Sequence, residues 1–373
     1  MRVLHVYRTY FPDSQGGLEE VIRQICRNTR AQGVESRVFT LSATPSSAPI
    51  KRDEAEVYQA NLSFEFASCG ISLSAWASFR RQVEWADIIH YHFPWPFADL
   101  LHILGRTKKR TLVTYHSDIV RQKRLLKLYR PLMNAFLKRV DVIVATSQNY
   151  FATSSILGRY SEKVEVIPIG LDETTYPEPG DSFVSEVRNK VGEGFFLFVG
   201  VLRYYKGLHI LLEAIKDTDL NVVIVGSGPV EDELKKRAAE LKIKNLQFLG
   251  YVSDEEKVAL ICLSRAIVFP SYLRSEAFGV TLVEGAMFGK PLISTEIGTG
   301  TSFVNEQGVT GFVVPPASPK HLQDAMYELN KDLPLAAKMG KASRDRYERL
   351  FTGKLMGERY ARLYGRLLTC GEL

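Results

Sequence analysis

Short runs of β-branched and aromatic residues recur along the chain, each followed by a longer stretch whose apolar positions repeat at helical spacing. In the first half these runs predict strands at Arg2–Tyr7, Ser36–Leu41, Ala86–His92, Thr111–His116, Asp141–Thr146 and Val164–Ile169. The second half restarts the pattern with Phe195–Gly200, Asn221–Gly226, Asn245–Leu249, Ala266–Pro270 and Pro291–Thr295. Strands alternating with amphipathic helices predict parallel α/β sheets. Asp172–Gly180, rich in Pro, Glu and Thr, reads as a linker between two sheets. Two consecutive doubly wound domains follow, over residues 1–175 and 181–352. In the remainder, 353–373, Leu355, Met356, Tyr360, Leu363, Tyr364 and Leu367 fall on one helical face and predict a terminal helix.

Composition narrows the class. A chain of 373 residues exceeds the size at which a single core keeps growing, which favours two domains. The four cysteines (Cys26, Cys69, Cys262, Cys370) form no CxxC pair, which points to a reducing, cytoplasmic setting and away from a disulfide framework or a zinc site. Met1-Arg2 runs straight into Val3-Leu4-His5-Val6-Tyr7, too short and too strand-like for a signal peptide. No apolar run reaches the roughly eighteen residues of a membrane-crossing helix. The net charge of +6 is uneven: Arg106–Arg139 holds eleven basic residues and one acidic residue, Asp118. Such a stripe suits an anionic membrane, a phosphorylated substrate or a solvated helix face. Nucleic acid is not expected, because no aromatic platform or nucleic-acid module accompanies it.

Open α/β sheets bind ligands at the carboxyl ends of their strands, so residues just after strands carry the chemistry. Gly16-Gly17 follow the first strand and enter a helix, where glycine lets a ligand approach and free N–H groups meet a phosphate. A tight turn explains the same pair equally well. Arg203 and Lys206 leave the first strand of the second half and are placed to share one diphosphate, Arg as a planar fork and Lys as a point charge. Gly226-Ser227-Gly228-Pro229 closes the next strand, but the third glycine of a dinucleotide fingerprint is missing, which disfavours hydride transfer. The strongest signal is Glu276-Ala277-Phe278-Gly279-Val280-Thr281-Leu282-Val283-Glu284. It places two carboxylates eight positions apart across a helix entry, able to accept hydrogen bonds from separate hydroxyl groups. The N–H groups from Phe278 onward face a phosphate at the helix start.

With its E-x7-E spacing, the Gly16-Gly17 loop, Tyr115-His116-Ser117-Asp118, the Arg203/Lys206 segment, Gly226-x-Gly228-Pro229 and Phe248-Leu249-Gly250, the chain resembles the retaining glycosyltransferases of family 4 over nearly its whole length. Arg274-Ser275-Glu276-Ala277-Phe278-Gly279 and the opening Val3–Tyr7 resemble more narrowly the bacterial O-antigen mannosyltransferases. The resemblance implies a GT-B fold, two Rossmann-like domains facing each other across a cleft with the terminal helix returning to the first. It implies a hexosyltransferase that retains anomeric configuration, with donor GDP-mannose or a related GDP-sugar. The acceptor it implies is a glycan on a polyprenyl diphosphate, and the workplace an anionic inner-membrane surface.

In that scheme Arg203 and Lys206 neutralise the leaving diphosphate, Glu276 holds hydroxyls of the donor sugar and Glu284 holds the ribose. His116 meets the sugar near its primary hydroxyl, Gly16, Gly17, Gly226 and Ala277–Thr281 line the donor, and backbone at Tyr251-Val252 meets the base. The leaving diphosphate takes the acceptor proton, so no cofactor and no metal are expected. Asp217-Thr218-Asp219 is a DxD sequence of the kind that binds metal in another architecture, but it precedes a strand and reads as a turn. His92 and Trp95, after the third strand, are weaker candidates for the acceptor side, Trp95 as a surface for a sugar ring. A sugar-nucleotide epimerase, or a non-catalytic nucleotide-sugar-binding subunit, would share much of this pattern. An epimerase would act on donor alone, while the joint presence of His116, Arg203, Lys206, Glu276 and Glu284 weighs against a decayed site.

Overall fold

The computed structural model describes residues 1–67, 69–119 and 123–369, with Lys123 described through its backbone alone. The chain divides into two compact units: Met1–Leu171 with Gly353–Leu373, and Asp172–Thr352. The expected linker Asp172–Gly180 therefore folds with the second unit.

The first unit is built on eight strands, β1 (Arg2–Val6), β2 (Glu35–Ser42), β3 (Ile50–Lys51), β4 (Glu56–Asn61), then β7 (Ile88–Phe93), β8 (Arg110–Tyr115), β9 (Val142–Ala145) and β10 (Val164–Val166); a separate hairpin joins β5 (Phe64–Phe66) and β6 (Cys69–Ile71). The sheet order is β10-β9-β8-β7-β1-β2-β4-β3, parallel except for the β3–β4 pair. Every residue of β7 is buried, as a central parallel strand covered on both faces requires. The register sets His5 beside His90 and His92 beside Thr114, so these residues and His116 share one face of the sheet.

That face is covered by the terminal helix Gly353–Thr369, whose buried side carries Met356, Tyr360, Leu363, Tyr364 and Leu367. The helix runs against Gly17–Arg30 so closely that a Cβ on Gly357 would lie 2.5 Å from the Asn28 carbonyl oxygen, and only glycine fits.

The second unit holds a six-stranded parallel sheet: β11 (Phe196–Val199), β12 (Val222–Val225), β13 (Leu246–Gly250), β14 (Ala266–Phe269), β15 (Leu292–Thr295) and β16 (Gly311–Val314), in the order β13-β12-β11-β14-β15-β16. Strand order reverses at β11, whose neighbours are β12 and β14. Chains leaving β11 and β14 on either side of that reversal open the crevice in which such sheets take ligands.

Candidate active site

In the second unit, β11 releases the loop that carries Arg203 and Lys206, and β14 releases the loop that carries Glu276. The Lys206 ammonium donates to the Glu276 carboxylate, both side chains nearly buried at 13% and 11% exposure. The same ammonium stands 4.5 Å from the Phe269 ring centre. Arg203 is exposed just ahead of the short turn Tyr204–Lys206. Burial, reinforced by the nearby Glu276 charge, pushes the Tyr205 phenol up to about 12 and keeps it a hydrogen-bonding hydroxyl at neutral pH.

Eight residues beyond Glu276, Glu284 lies in the helix Val280–Met287. Its carboxylate accepts hydrogen bonds from the Tyr176 hydroxyl and the Lys257 ammonium, each at 3.0 Å. Burial works against the Lys257 charge, but Glu284 and Asp254 outweigh it and hold that ammonium above its ordinary pKa. Gly279 caps the helix in the left-handed region (φ 85°), a conformation that glycine adopts without strain. The N–H groups of Phe278 to Thr281 have no acceptor among the described residues, as the first turn of a helix requires. The Phe278 ring is buried against Phe351, and the Ala277 carbonyl accepts from Gly300 N at 2.8 Å. The Thr281 hydroxyl donates to the Val199 carbonyl at 3.1 Å and ties the helix start to the end of β11.

In the first unit, His116 follows β8 and retains 7% exposure. Its Nε2 lies 3.0 Å from His92 Nδ1, and His92 Nε2 lies 3.1 Å from His5 Nδ1. Beside this row, His90 is held by the Tyr364 hydroxyl at Nδ1 (2.8 Å) and by the Thr114 hydroxyl at Nε2 (2.7 Å). Burial keeps all four rings neutral at physiological pH, pushing His5 and His116 down to about 3 and His90 and His92 well below their ordinary value. Asp118 accepts from the hydroxyls of Tyr115 (2.9 Å) and Ser154 (3.0 Å), which fixes the loop just past His116.

Two sequence profiles together span most of the chain: one described as Glycosyltransferase Family 4 over residues 15–175, the other as Glycosyl transferases group 1 over residues 182–346. The chain is 53% identical to the D-rhamnosyltransferase WbpZ of Pseudomonas aeruginosa, over 94% of its own length and 92% of that protein's. The chain belongs to the family 4 glycosyltransferases. It is also 48% identical to the O-antigen chain mannosyltransferase C of Escherichia coli, over 99% of both chains. Its fold is similar to that of the sucrose-phosphate synthase of Thermosynechococcus elongatus, with a TM-score of 0.81, 20% identity and 99% of each chain covered.

For this glycosyltransferase the structure brings Lys206 and Glu276 into direct contact and keeps Arg203, Ala277–Thr281 and Glu284 in the same domain. Val252, half-buried, follows β13 beside the exposed Tyr251. His116, Gly16 and Gly17 stand in the first domain. Gly226 has an internal cause: at φ 117°, a Cβ there would lie 2.2 Å from the Gly200 carbonyl oxygen, so crowding between two strand ends requires glycine. At Gly16 an added Cβ would lie 2.5 Å from a Glu19 carboxylate oxygen, the movable end of a side chain, so the crowding is less binding than at Gly226. Gly17 differs, with a φ that any residue adopts and nothing within 4 Å of an added Cβ, so the fold itself does not demand glycine there.

The expectations for His92 and Trp95 need correction. His92 and Trp95, each 1% exposed, present no surface to an acceptor. His92 is locked between two histidines, and the Trp95 indole donates to the Gly70 carbonyl at 3.0 Å. Asp217-Thr218-Asp219 lies before β12, with Asp217 left-handed (φ 56°) and the Thr218 hydroxyl donating to the Ile215 carbonyl at 2.8 Å, a turn. Among the described residues, His5, His90 and His92 bring three ligand atoms within 4.8 Å of one another, but five of their six ring nitrogens already carry the hydrogen bonds given above. Lys257 and Tyr176, the partners of Glu284, were not anticipated. They come from distant segments, and no spacing rule links them to it.

Proposed function

We propose that this glycosyltransferase moves a manno-configured hexose from a GDP-sugar, with retention of configuration, to a lipid-linked glycan of the O-antigen type. The observation that carries the donor site is the Lys206–Glu276 pair set beside the open first turn of Val280–Met287. A cation, a carboxylate and unsatisfied N–H groups on two adjacent strand ends match a sugar diphosphate: phosphate to Lys206, Arg203 and the helix start, hydroxyls to Glu276. Glu284, oriented by Tyr176 and Lys257, suits the ribose hydroxyls. The sugar follows from the two relatives, named for mannose and for D-rhamnose, which is 6-deoxymannose and shares the manno configuration.

Charge builds on the diphosphate as the glycosidic bond breaks, and fixed cations stabilise that state most. The departing phosphate oxygen then takes the acceptor proton, so neither a protein base nor a metal is required. Isothermal titration in the presence of a chelator should give tight binding of GDP and weak binding of UDP, and transfer should continue in the same buffer. A clear preference for UDP would overturn the donor, and loss of transfer with rescue by manganese would overturn the metal-free scheme.

The acceptor reading draws on the helix Lys123–Arg139; Arg121 and Gln122 of the basic stripe lie outside the described residues. Arg124, Lys127 and Arg130 are exposed next to Leu125 and Leu128, the latter 80% exposed. No helix among the described residues is long and apolar enough to cross a membrane. Cations mixed with exposed leucines suit reversible docking on an anionic cytoplasmic leaflet, at about 1 kcal/mol per basic residue. Changing Arg124, Lys127 and Arg130 to Glu should abolish sedimentation with phosphatidylglycerol vesicles while transfer to a short soluble acceptor persists. Native sedimentation of that variant would reduce the stripe to a solvated face.

A further inference from the structure

The row His116–His92–His5 has two ends of different character. At one end His116 keeps 7% exposure, and its Nδ1 makes no hydrogen bond to the described residues. At the other end His5 Nε2 is fully buried and also without a partner. A neutral imidazole carries one proton, so each link in the row must have one N–H and one bare nitrogen. Only two arrangements satisfy both links. In the first, His5 Nδ1–H donates to His92 Nε2, His92 Nδ1–H donates to His116 Nε2, and His116 presents Nδ1–H. In the second, every proton lies on the opposite nitrogen, His116 presents a bare Nδ1, and His5 carries an N–H aimed at no acceptor among the described residues.

The two arrangements differ in what is left unsatisfied in the core. The first strands a lone pair and the second strands an N–H; the first is favoured by analogy with backbone groups, among which buried orphan N–H groups are rarer than under-satisfied acceptors. The row is not a proton conduit either. Past His5 the nearest ring is His90, tilted by 43° at 4.8 Å, and both of its nitrogens are already bonded to hydroxyls. A proton entering at His116 would have no onward acceptor among the described residues.

We infer that His5 and His92 are positioning residues that lock His116 in its Nδ1–H form, so that it meets the substrate as a fixed hydrogen-bond donor and never as the base for the acceptor hydroxyl. Stacking holds the row in place: His90 lies 4.3 Å from His92 between ring centres, and the Tyr360 and Tyr364 hydroxyls close the face through Thr114 and His90. The inference rests on the contact of His116 with the donor sugar that the family resemblance implies. It adds the direction of that hydrogen bond and the two residues that set it.

The chain has seven histidines, so nitrogen-15 histidine labelling gives a small spectrum in which protonated and bare ring nitrogens resonate far apart. The native protein should show His116 protonated at Nδ1. His5→Phe removes the first donor of the row and should expose a bare-Nδ1 population at His116, with kcat lower by about 10- to 100-fold, the scale seen when the partner that orients a functional histidine is lost. His5→Asn places a carboxamide N–H where Nδ1–H stood and should restore both the tautomer and kcat. A bare Nδ1 at His116 in the native protein would overturn the lock, as would a His5→Phe protein with native tautomer and native kcat. If native His116 is Nδ1–H and its resonance is unmoved by saturating donor, the lock stands and the sugar contact fails.

Discussion

Lowering the pH from about 7.5 to about 5 should strip most of the stability from the first domain while the chain's carboxylates are still largely ionised. His5, His90, His92 and His116 are buried on one face of its sheet, and burial holds each pKa far below the ordinary value, to about 3 for His5 and His116. In the unfolded chain the same rings take up protons once the pH falls below about 6.5. The unfolded state then binds more protons than the folded state, so stability present above that value is lost as the pH falls. At pH 5 each ring costs about 2 kcal/mol, and four cost roughly 8 kcal/mol. That is comparable to the whole stability of a typical domain, about 5–15 kcal/mol. Calorimetry should show a transition displaced by about 15 °C or more, or absent because the domain has already unfolded. A first-domain melting temperature unchanged between the two pH values would mean that the rings are already charged or that the row is wet.

The contrast between what was legible in the sequence and what was not has a physical origin. β7, β8, β11, β12 and β14 are buried on both faces, so their near-continuous apolar runs announce them. β4, which reads Glu-Val-Tyr-Gln-Ala-Asn, and the edge strand β16 were missed; β4 is half polar, and β16 is four residues opened by a glycine. Continuous burial also hides direction. The run containing His90 and His92 gives no sign of which face a residue takes, and His92 was read as facing an acceptor when both faces of its strand are covered. Arg203, Lys206 and Glu276 stood out as candidates because each lies within seven positions of a strand end, and Glu284 because it completes the E-x7-E spacing. The histidine row was invisible, since its bonds join residues 87 and 24 positions apart and depend on a strand order that no local pattern states.

Replacing Lys206 with Met should lower kcat by about 10²-fold or more while the protein stays folded, because the lost charge belongs to the step in which the diphosphate leaves. A 10²-fold loss is about 2.7 kcal/mol of transition-state stabilisation, the size found when one preorganised donor is removed from a developing anion. Methionine keeps an apolar stem of similar reach and sets a thioether near Phe269 in place of the ammonium, so the space stays filled while the charge is lost. The change also deprives Glu276 of its partner, so the loss has two sources, and a second variant separates them. Glu276→Gln keeps the side chain's shape and one carbonyl acceptor but removes its charge, and should weaken the grip on sugar hydroxyls while Lys206 remains free for phosphate. The two variants should therefore diverge on ligands: Lys206→Met binds free GDP less tightly, whereas Glu276→Gln binds GDP normally and loses discrimination in favour of the intact sugar nucleotide. The double variant should fall short of the product of the two single effects, as expected for groups in direct contact. Native kcat in both Lys206→Met and Arg203→Ala would remove the diphosphate from this corner of the second domain, and with it the proposed chemistry.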